Sequence, residues 1–124
     1  MDVQLVSEPE APSKARNAIA PLRGRVDNRT LDDVRLVVSE LVTNAVIHAP
    51  GAPISVRVDV DDRGVVRGEI EDHGGEGGVR PRPTSPDQAG GYGLGIVDAL
   101  TDRWGVGDGT TRVWFELTDT SSAP

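Results

Sequence analysis

The sequence predicts an α+β fold, a two-layer sandwich in which a mixed, mostly antiparallel sheet carries helices on one face. Two hydrophobic patterns support this prediction. Apolar residues recur at three- and four-residue spacing from Leu31 to Ala49, which is typical of a helix, and they alternate strictly over 54–60, which is typical of a strand. The 124 residues suffice for one compact domain. We assign that domain to residues 1–118, and we expect 119–124 to be a disordered tail.

Composition argues against several classes of function. The chain has 13 Lys+Arg against 20 Asp+Glu and a net charge of -7. It therefore lacks the basic surface that binds nucleic acid or membranes non-specifically. The absence of cysteine excludes disulfides and thiolate zinc sites. The first ten residues lack the features of a signal peptide, and no apolar run approaches the roughly 18 residues of a membrane span, so we expect a cytoplasmic protein.

The N-terminal half is predicted to hold a short edge strand over 3–6 and two helices. The first helix spans 12–26, and Pro21 is expected to kink or shorten it. The second helix has Thr30 as its predicted N-cap, with Asp33 three residues later in an Asp variant of the capping box. Pro50-Gly51 then stops this helix after Ala49.

The C-terminal half is predicted to contain a hairpin, a loop, a helix and a strand. Alternating residues over 54–60 and 65–72 flank a short turn and form an antiparallel pair. The Gly- and Pro-rich stretch 74–91 is too irregular for a helix or strand, and loops of this length are often lids or binding loops. A third helix follows from Leu94 to Arg103 and is ended by Gly105, before a last strand over 111–117.

The second helix carries three polar residues on one stripe. Glu40, Asn44 and His48 are spaced four residues apart among closely packed apolar residues. The simpler interpretation is a solvated helix edge. The alternative is chemical, because an Asn carbonyl oxygen suits Mg²⁺ and a Glu one turn earlier suits a general base. His48, at the helix end, fits a cap or a satisfied surface histidine better than a catalyst.

A glycine-rich segment precedes and enters the third helix, with glycines at 90, 91, 93 and 95. Glycines at a helix start let a ligand approach the backbone, where free N–H groups bind phosphate. A flexible loop is the alternative. A P-loop is excluded because the only lysine is Lys14, and a Rossmann fingerprint is excluded because a Pro-rich loop, rather than a strand, precedes the glycines.

The strand over 65–72 ends in two acids that alternation places on opposite faces. Val66, Ile70 and Asp72 share the apolar face, so Asp72 points inward while Glu71 is solvated. An inward carboxylate needs hydrogen-bond donors, and the amino group of adenine is one candidate. The alternative is an Asp that caps the following turn.

Three stretches, in this order, resemble the GHKL ATPase family, which has the Bergerat fold. SELVTNAVIHA over 39–49 resembles the N box, EDHGG over 71–75 the first glycine box, and GGYGLGIVDAL over 90–100 the second. The resemblance covers roughly residues 10–118. The length and the short lid are most similar to the small bacterial anti-sigma factor serine/threonine kinases.

The resemblance implies ATP and Mg²⁺ as ligands and assigns roles by position. Glu40 would be the general base, Asn44 the Mg²⁺ ligand, and Asp72 the acceptor for the adenine amino group. The remaining nucleotide contacts would be made by residues of the two glycine boxes and the last strand: Gly74, Gly91, Gly93, Leu94, Gly95 and Thr111.

The resemblance also implies partners. It predicts an anti-sigma factor antagonist-like protein as phosphate acceptor, leaves a sigma factor and a homodimer open, and predicts neither nucleic acid nor membrane. Glu76 stands where the family pattern has glycine, and Arg112 between Thr111 and Val113 leaves open whether Thr111 takes the family's position in the last strand. These departures favour a second hypothesis, a catalytically weak nucleotide-binding module that sequesters a protein partner. A third, the catalytic half of a histidine kinase, would need a separate phosphoacceptor partner.

Overall fold

A five-stranded sheet forms one layer of the fold, in the strand order β1-β2-β3-β5-β4. The computed structural model describes residues 1–49, 51–73, 94–107 and 112–118. Every neighbouring strand pair in that order is antiparallel. The strands are β1 (Asp2–Val6), β2 (Pro53–Val60), β3 (Val65–Asp72), β4 (Arg103–Val106) and β5 (Arg112–Thr118). This architecture confirms the predicted α+β class and the edge position of the first strand.

Three α-helices and one 3₁₀ turn form the second layer. They are α1 (Ala11–Ala18), the 3₁₀ turn (Ala20–Leu22), α2 (Asn28–His48) and α3 (Leu94–Leu100). The predicted first helix is interrupted after Ala18, and Pro21 lies in the first positions of the 3₁₀ turn. A proline lacks the N–H that an α-helix interior requires, so the chain tightens into a turn there.

The N-cap of α2 is Asp27, so the predicted Thr30 cap and its capping box with Asp33 are wrong. The Asp27 carboxylate accepts a hydrogen bond of 2.7 Å from the Thr30 N–H. Asp27 itself has extended backbone dihedrals, as an N-cap should. Thr30 already lies inside the first turn and is buried.

The second correction concerns the third helix, which was predicted to run from Leu94 to Arg103 and to be ended by Gly105, where the structure has the strand β4 from Arg103. The helix ends at Leu100, because Asp102 N–H donates to the Glu116 carbonyl at 2.8 Å and the chain pairs with β5 from there. A Cβ at Gly105 would lie 2.9 Å from the Trp114 indole. Glycine therefore lets that ring lie across β4 instead of ending a helix.

The core lies between the helices and the inner face of the sheet. Val66, Gly68, Ile70 and Asp72 are the buried residues of β3, as alternation predicted. The Phe115 ring of β5 lies over Gly68, where a Cβ would overlap it. The outer face carries mainly charged side chains, in ion pairs such as those of Arg67 and Arg103 with Glu116. Among the described residues, no helix is long and apolar enough to cross a membrane.

Candidate functional site

The helix α2 holds Glu40 and Asn44 one turn apart on one side, since residues four apart are neighbours on a helix surface. Both side chains are half-buried. The Asn44 Oδ1 atom is buried and has no hydrogen-bond partner among the described residues. An unpaired buried carbonyl oxygen destabilises a protein unless a ligand completes it. A neutral amide oxygen of this kind is a suitable ligand for Mg²⁺.

A polar cluster fixes α2 directly beside Glu40. The Arg16 guanidinium of α1 donates a hydrogen bond of 2.8 Å to Ser39 Oγ, and Thr43 Oγ1 donates one of 2.7 Å to the Ser39 carbonyl. Ser39 is buried. Sequence reasoning missed this cluster. A serine among the apolar positions of α2 was the one signal that a partner was needed.

Asp72 is the last residue of β3 and is 8% exposed on the helix side of the sheet. Its inward orientation is therefore confirmed. Glu71 lies on the outer face, where its carboxylate is 3.9 Å from Arg112 Nε. The strand pairing extends one residue past Asp72, because His73 N–H donates to the Pro53 carbonyl at 2.9 Å. Main-chain bonds to β2 thus fix the position of Asp72.

Helix α3 begins at Leu94, as predicted, so Leu94 and Gly95 form its first turn. Val97 is fully buried, and Trp104 of β4 donates a hydrogen bond of 2.9 Å to the Asp98 carboxylate. A Cβ built at Gly95 would meet no atom within 4 Å. No packing contact in the described part of the chain therefore requires glycine at this helical position.

Helix α2, which carries one of the three predicted stretches, packs against both β3 and α3, which carry parts of the other two. The stretches contribute Glu40 and Asn44, Asp72, and Leu94 with Gly95. The other predicted site residues, and Glu76, lie outside the described residues: Gly74, Gly91, Gly93 and Thr111. In the ranges that are described, no group of three or more His, Cys, Asp or Glu is placed to hold a metal ion.

The clearest electrostatic effects lie on the outer face of the sheet, away from Glu40 and Asn44. Hydrogen bonds from Arg103 and then Arg67 hold the pKa of Glu116 below its ordinary value. At the β2–β3 turn, the backbone N–H of Val65 is the main cause that lowers the pKa of Asp61. These shifted groups form a structural network that joins β3, β4 and β5.

Comparison with known proteins adds a family and two similar proteins. Residues 5–117 match the family described as histidine kinase-like ATPase domain. The anti-sigma F factor of Geobacillus stearothermophilus is 36% identical over 80 residues, which cover 60% of this chain and 54% of that protein. The chain thus spans about half the length of this curated relative.

The fold has a solved counterpart in the histidine kinase domain of the blue-light activated histidine kinase EL346 from Erythrobacter litoralis. The two superpose with a TM-score of 0.58 at 22% identity, over 90% of this chain and 60% of that chain. This likeness shows a shared fold.

Proposed function

The chain belongs to the family of histidine kinase-like ATPase domains, and from this premise we propose that it is an ATP-dependent serine/threonine protein kinase of the anti-sigma factor type. It transfers the γ-phosphate of ATP to a Ser or Thr of a small anti-sigma factor antagonist-like protein. The observation that carries the proposal is the buried Asn44 Oδ1, one turn from Glu40, which has no hydrogen-bond partner within the described ranges. The similarity to an anti-sigma F factor supports the regulatory setting.

The nucleotide lies along α2, between β3 and α3. Asp72 accepts the hydrogen bond from the adenine amino group, and its burial at 8% exposure supports a role in reading a buried base edge. Gly95 and the α3 N–H groups face the phosphates, which is supported by the space that the described residues leave beside Gly95. By family pattern, Gly74 and Thr111 complete the adenine side, and Gly91, Gly93 and Leu94 the phosphate side.

Asn44 would hold Mg²⁺ through Oδ1, since this atom is buried, neutral and unpaired among the described residues. When bound, the ion neutralises charge on the phosphates. The lack of a carboxylate cluster in the described ranges fits a cation that shares few protein ligands with phosphate oxygens.

Glu40 acts on the acceptor hydroxyl. Its carboxylate accepts the hydroxyl proton as the acceptor oxygen forms a bond to the γ-phosphorus. The bond from that phosphorus to the bridging oxygen breaks, and ADP leaves with the electron pair. The Arg16–Ser39–Thr43 cluster fixes the helix backbone beside Glu40, which limits the positions that its carboxylate can take.

The assignment is tested by calorimetric titration of Mg-ATP and by radiolabelled phosphate transfer to purified candidate antagonist proteins. Asp72→Asn is expected to weaken ATP binding about tenfold or more, because the neutral amide keeps one acceptor oxygen in place of two and loses the charge that strengthens the hydrogen bond from the adenine amino group. Glu71→Gln, on the other face, is the matched control and keeps wild-type affinity. Equal affinity for wild type and Asp72→Asn refutes the adenine role.

The catalytic assignment is tested in the same transfer assay. Glu40→Ala is expected to lower kcat about 100-fold or more while Mg-ATP still binds. Unchanged transfer by Glu40→Ala removes the general-base role.

The second candidate, a nucleotide-binding module that sequesters its partner, is favoured by Glu76, which replaces a glycine of the family pattern. An acid close to the phosphate path opposes the phosphate charge and weakens ATP binding. Mg-ATP binding with no transfer to any antagonist protein, together with a stable complex with one of them or with a sigma factor, favours the module. Under either function we propose a single domain over 1–118 and a cytoplasmic location. Both functions leave a homodimer open.

A further inference from the structure

Five large hydrophobic side chains are exposed in the described part of the chain, and two of them lie on α2. The five are Val6, Leu36, Ile47, Ile96 and Val106. Val6 and Val106 belong to the two edge strands of the sheet. Leu36 and Ile47 differ from these, because they are 42% and 54% exposed on the helix that carries Glu40. They lie about three turns apart and form no continuous apolar patch, so what singles them out is their position relative to Glu40 and not their area.

Helix geometry places Glu40 between these two residues. At 3.6 residues per turn, Leu36, Glu40, Thr43 and Ile47 fall within a wedge of about 60°. Along the axis, Glu40 is about 6 Å from Leu36 and about 10 Å from Ile47. Burial agrees with this geometry. Glu40 and Thr43 are half-buried, whereas Leu41, the residue after Glu40, is buried.

We propose that Leu36 and Ile47 are the docking contacts for the acceptor protein, the partner that presents its Ser or Thr hydroxyl to Glu40. This inference rests on the proposed kinase function. The hydroxyl must come within about 3 Å of the Glu40 carboxylate. The surface that surrounds the hydroxyl must then cover α2 for a turn or more on either side. Leu36 and Ile47 occupy those two places, and their side chains bury against the acceptor.

Leu36, Glu40, Thr43 and Ile47 form a surface stripe whose size and chemistry favour a protein acceptor. Leu36 and Ile47 are about 16 Å apart along the axis, which exceeds the reach of a single side chain and matches about three turns of a helix. The stripe has apolar ends and a carboxylate between them. An acceptor with apolar side chains on either side of a hydroxyl complements this order.

The test is a steady-state phosphate-transfer assay with Leu36→Gln and Ile47→Gln, since glutamine keeps helix propensity and removes the apolar contact. The probe is the antagonist protein that accepts phosphate from the wild type. Each variant is expected to raise the KM for this acceptor about tenfold, while its Kd for a fluorescent ATP analogue stays at the wild-type value. Leu36→Ala serves as a second truncation. Val106→Thr, at a 40% exposed position on β4, is the matched control with an unchanged KM.

The outcomes separate the docking surface from the function itself. If the wild type transfers phosphate and both variants keep the wild-type KM, the docking surface is refuted and the kinase function stands. If the wild type transfers phosphate to no antagonist protein, the function fails and the docking surface fails with it. A change of oligomeric state of Leu36→Gln in size-exclusion chromatography also overturns the proposal, because the stripe then contacts a second copy of the chain.

Discussion

Arg16 of α1 donates a hydrogen bond of 2.8 Å to Ser39 Oγ of α2, one residue before Glu40. The same guanidinium donates a bond of 3.0 Å to Ser13 Oγ, which is exposed. One cation therefore binds a buried hydroxyl and an exposed hydroxyl. Comparing the two serines measures how much the buried hydrogen bond beside Glu40 contributes to the free energy of unfolding.

Ser39→Ala is expected to lower the free energy of unfolding by about 1 to 2 kcal/mol, because it removes a charge-assisted hydrogen bond at a buried position. Ser13→Ala is the matched control, and its exposed bond is expected to contribute less than about 0.5 kcal/mol. Urea denaturation followed by circular dichroism measures both. Equal losses in the two variants contradict the importance of the buried contact.

Gly68→Ala is expected to lower the free energy of unfolding by about 3 kcal/mol, because its Cβ overlaps the Phe115 ring in the core. The double variant Gly68→Ala/Phe115→Leu gives room for the added methyl. It is expected to lose less stability than the sum of its single variants. Thermal unfolding of the four proteins measures this coupling. Strict additivity excludes the overlap with Phe115 as the cause of the stability loss in Gly68→Ala.

Gly95→Ala tests whether the glycine at the start of α3 serves a ligand. Within the part of the chain that the structure describes, a Cβ there meets no atom within 4 Å, and alanine favours a helix over glycine by up to about 1 kcal/mol. We expect an unchanged or higher melting temperature, with an ATP affinity about tenfold weaker because the methyl group blocks close approach of phosphate.

Ala99→Gly, at an exposed position of α3, is the reciprocal control for this prediction. It is expected to lower the melting temperature and leave the ATP affinity unchanged. Wild-type affinity in Gly95→Ala contradicts a phosphate contact at this glycine.

The stability of the sheet is expected to fall in acid through Glu116. Arg103 and Arg67 donate hydrogen bonds that hold the pKa of Glu116 below its ordinary value of 4.5. A carboxylate with a lowered folded-state pKa contributes stability above the unfolded-state value. That contribution is lost as the pH falls through the folded-state pKa.

Glu116→Gln is therefore expected to be destabilised relative to the wild type at pH 7, and the difference is expected to shrink at about pH 3. Urea unfolding of both proteins at the two values measures it. High salt is expected to reduce the difference at pH 7, because Arg103 is exposed and its charge is screened. A difference that is the same at both pH values excludes Glu116 as the titrating group.

The hairpin and the orientation of Asp72 were predictable because alternation is a strict geometric signal. In β3 it places Ile70 and Asp72 on the buried face and Glu71 on the other. The resemblance to an ATPase family, inferred from three short stretches, is confirmed by a family match over residues 5–117. Local patterns of this kind depend on few long-range contacts.

The predictions from the sequence were wrong where tertiary contacts decide between local alternatives. Asp27 and Thr30 are both good N-caps, and the turn before α2 selects the first. β4 is four residues long, too short to show a strand period, and it forms because β5 pairs with it. The bond from Arg16 to Ser39 joins residues 23 apart, and the lack of a hydrogen-bond partner for Asn44 Oδ1 among the described residues depends on tertiary packing around α2.

The two tryptophans of the chain lie on opposite faces of the sheet. Trp104 packs against the core and bonds α3, whereas Trp114 lies across Gly105 on the outer face. They are therefore two separate optical reporters. In Trp114→Phe the remaining indole emission originates beside α3, the helix that begins with Leu94 and Gly95. Its wavelength and quenching follow events at that helix in real time, without an added label.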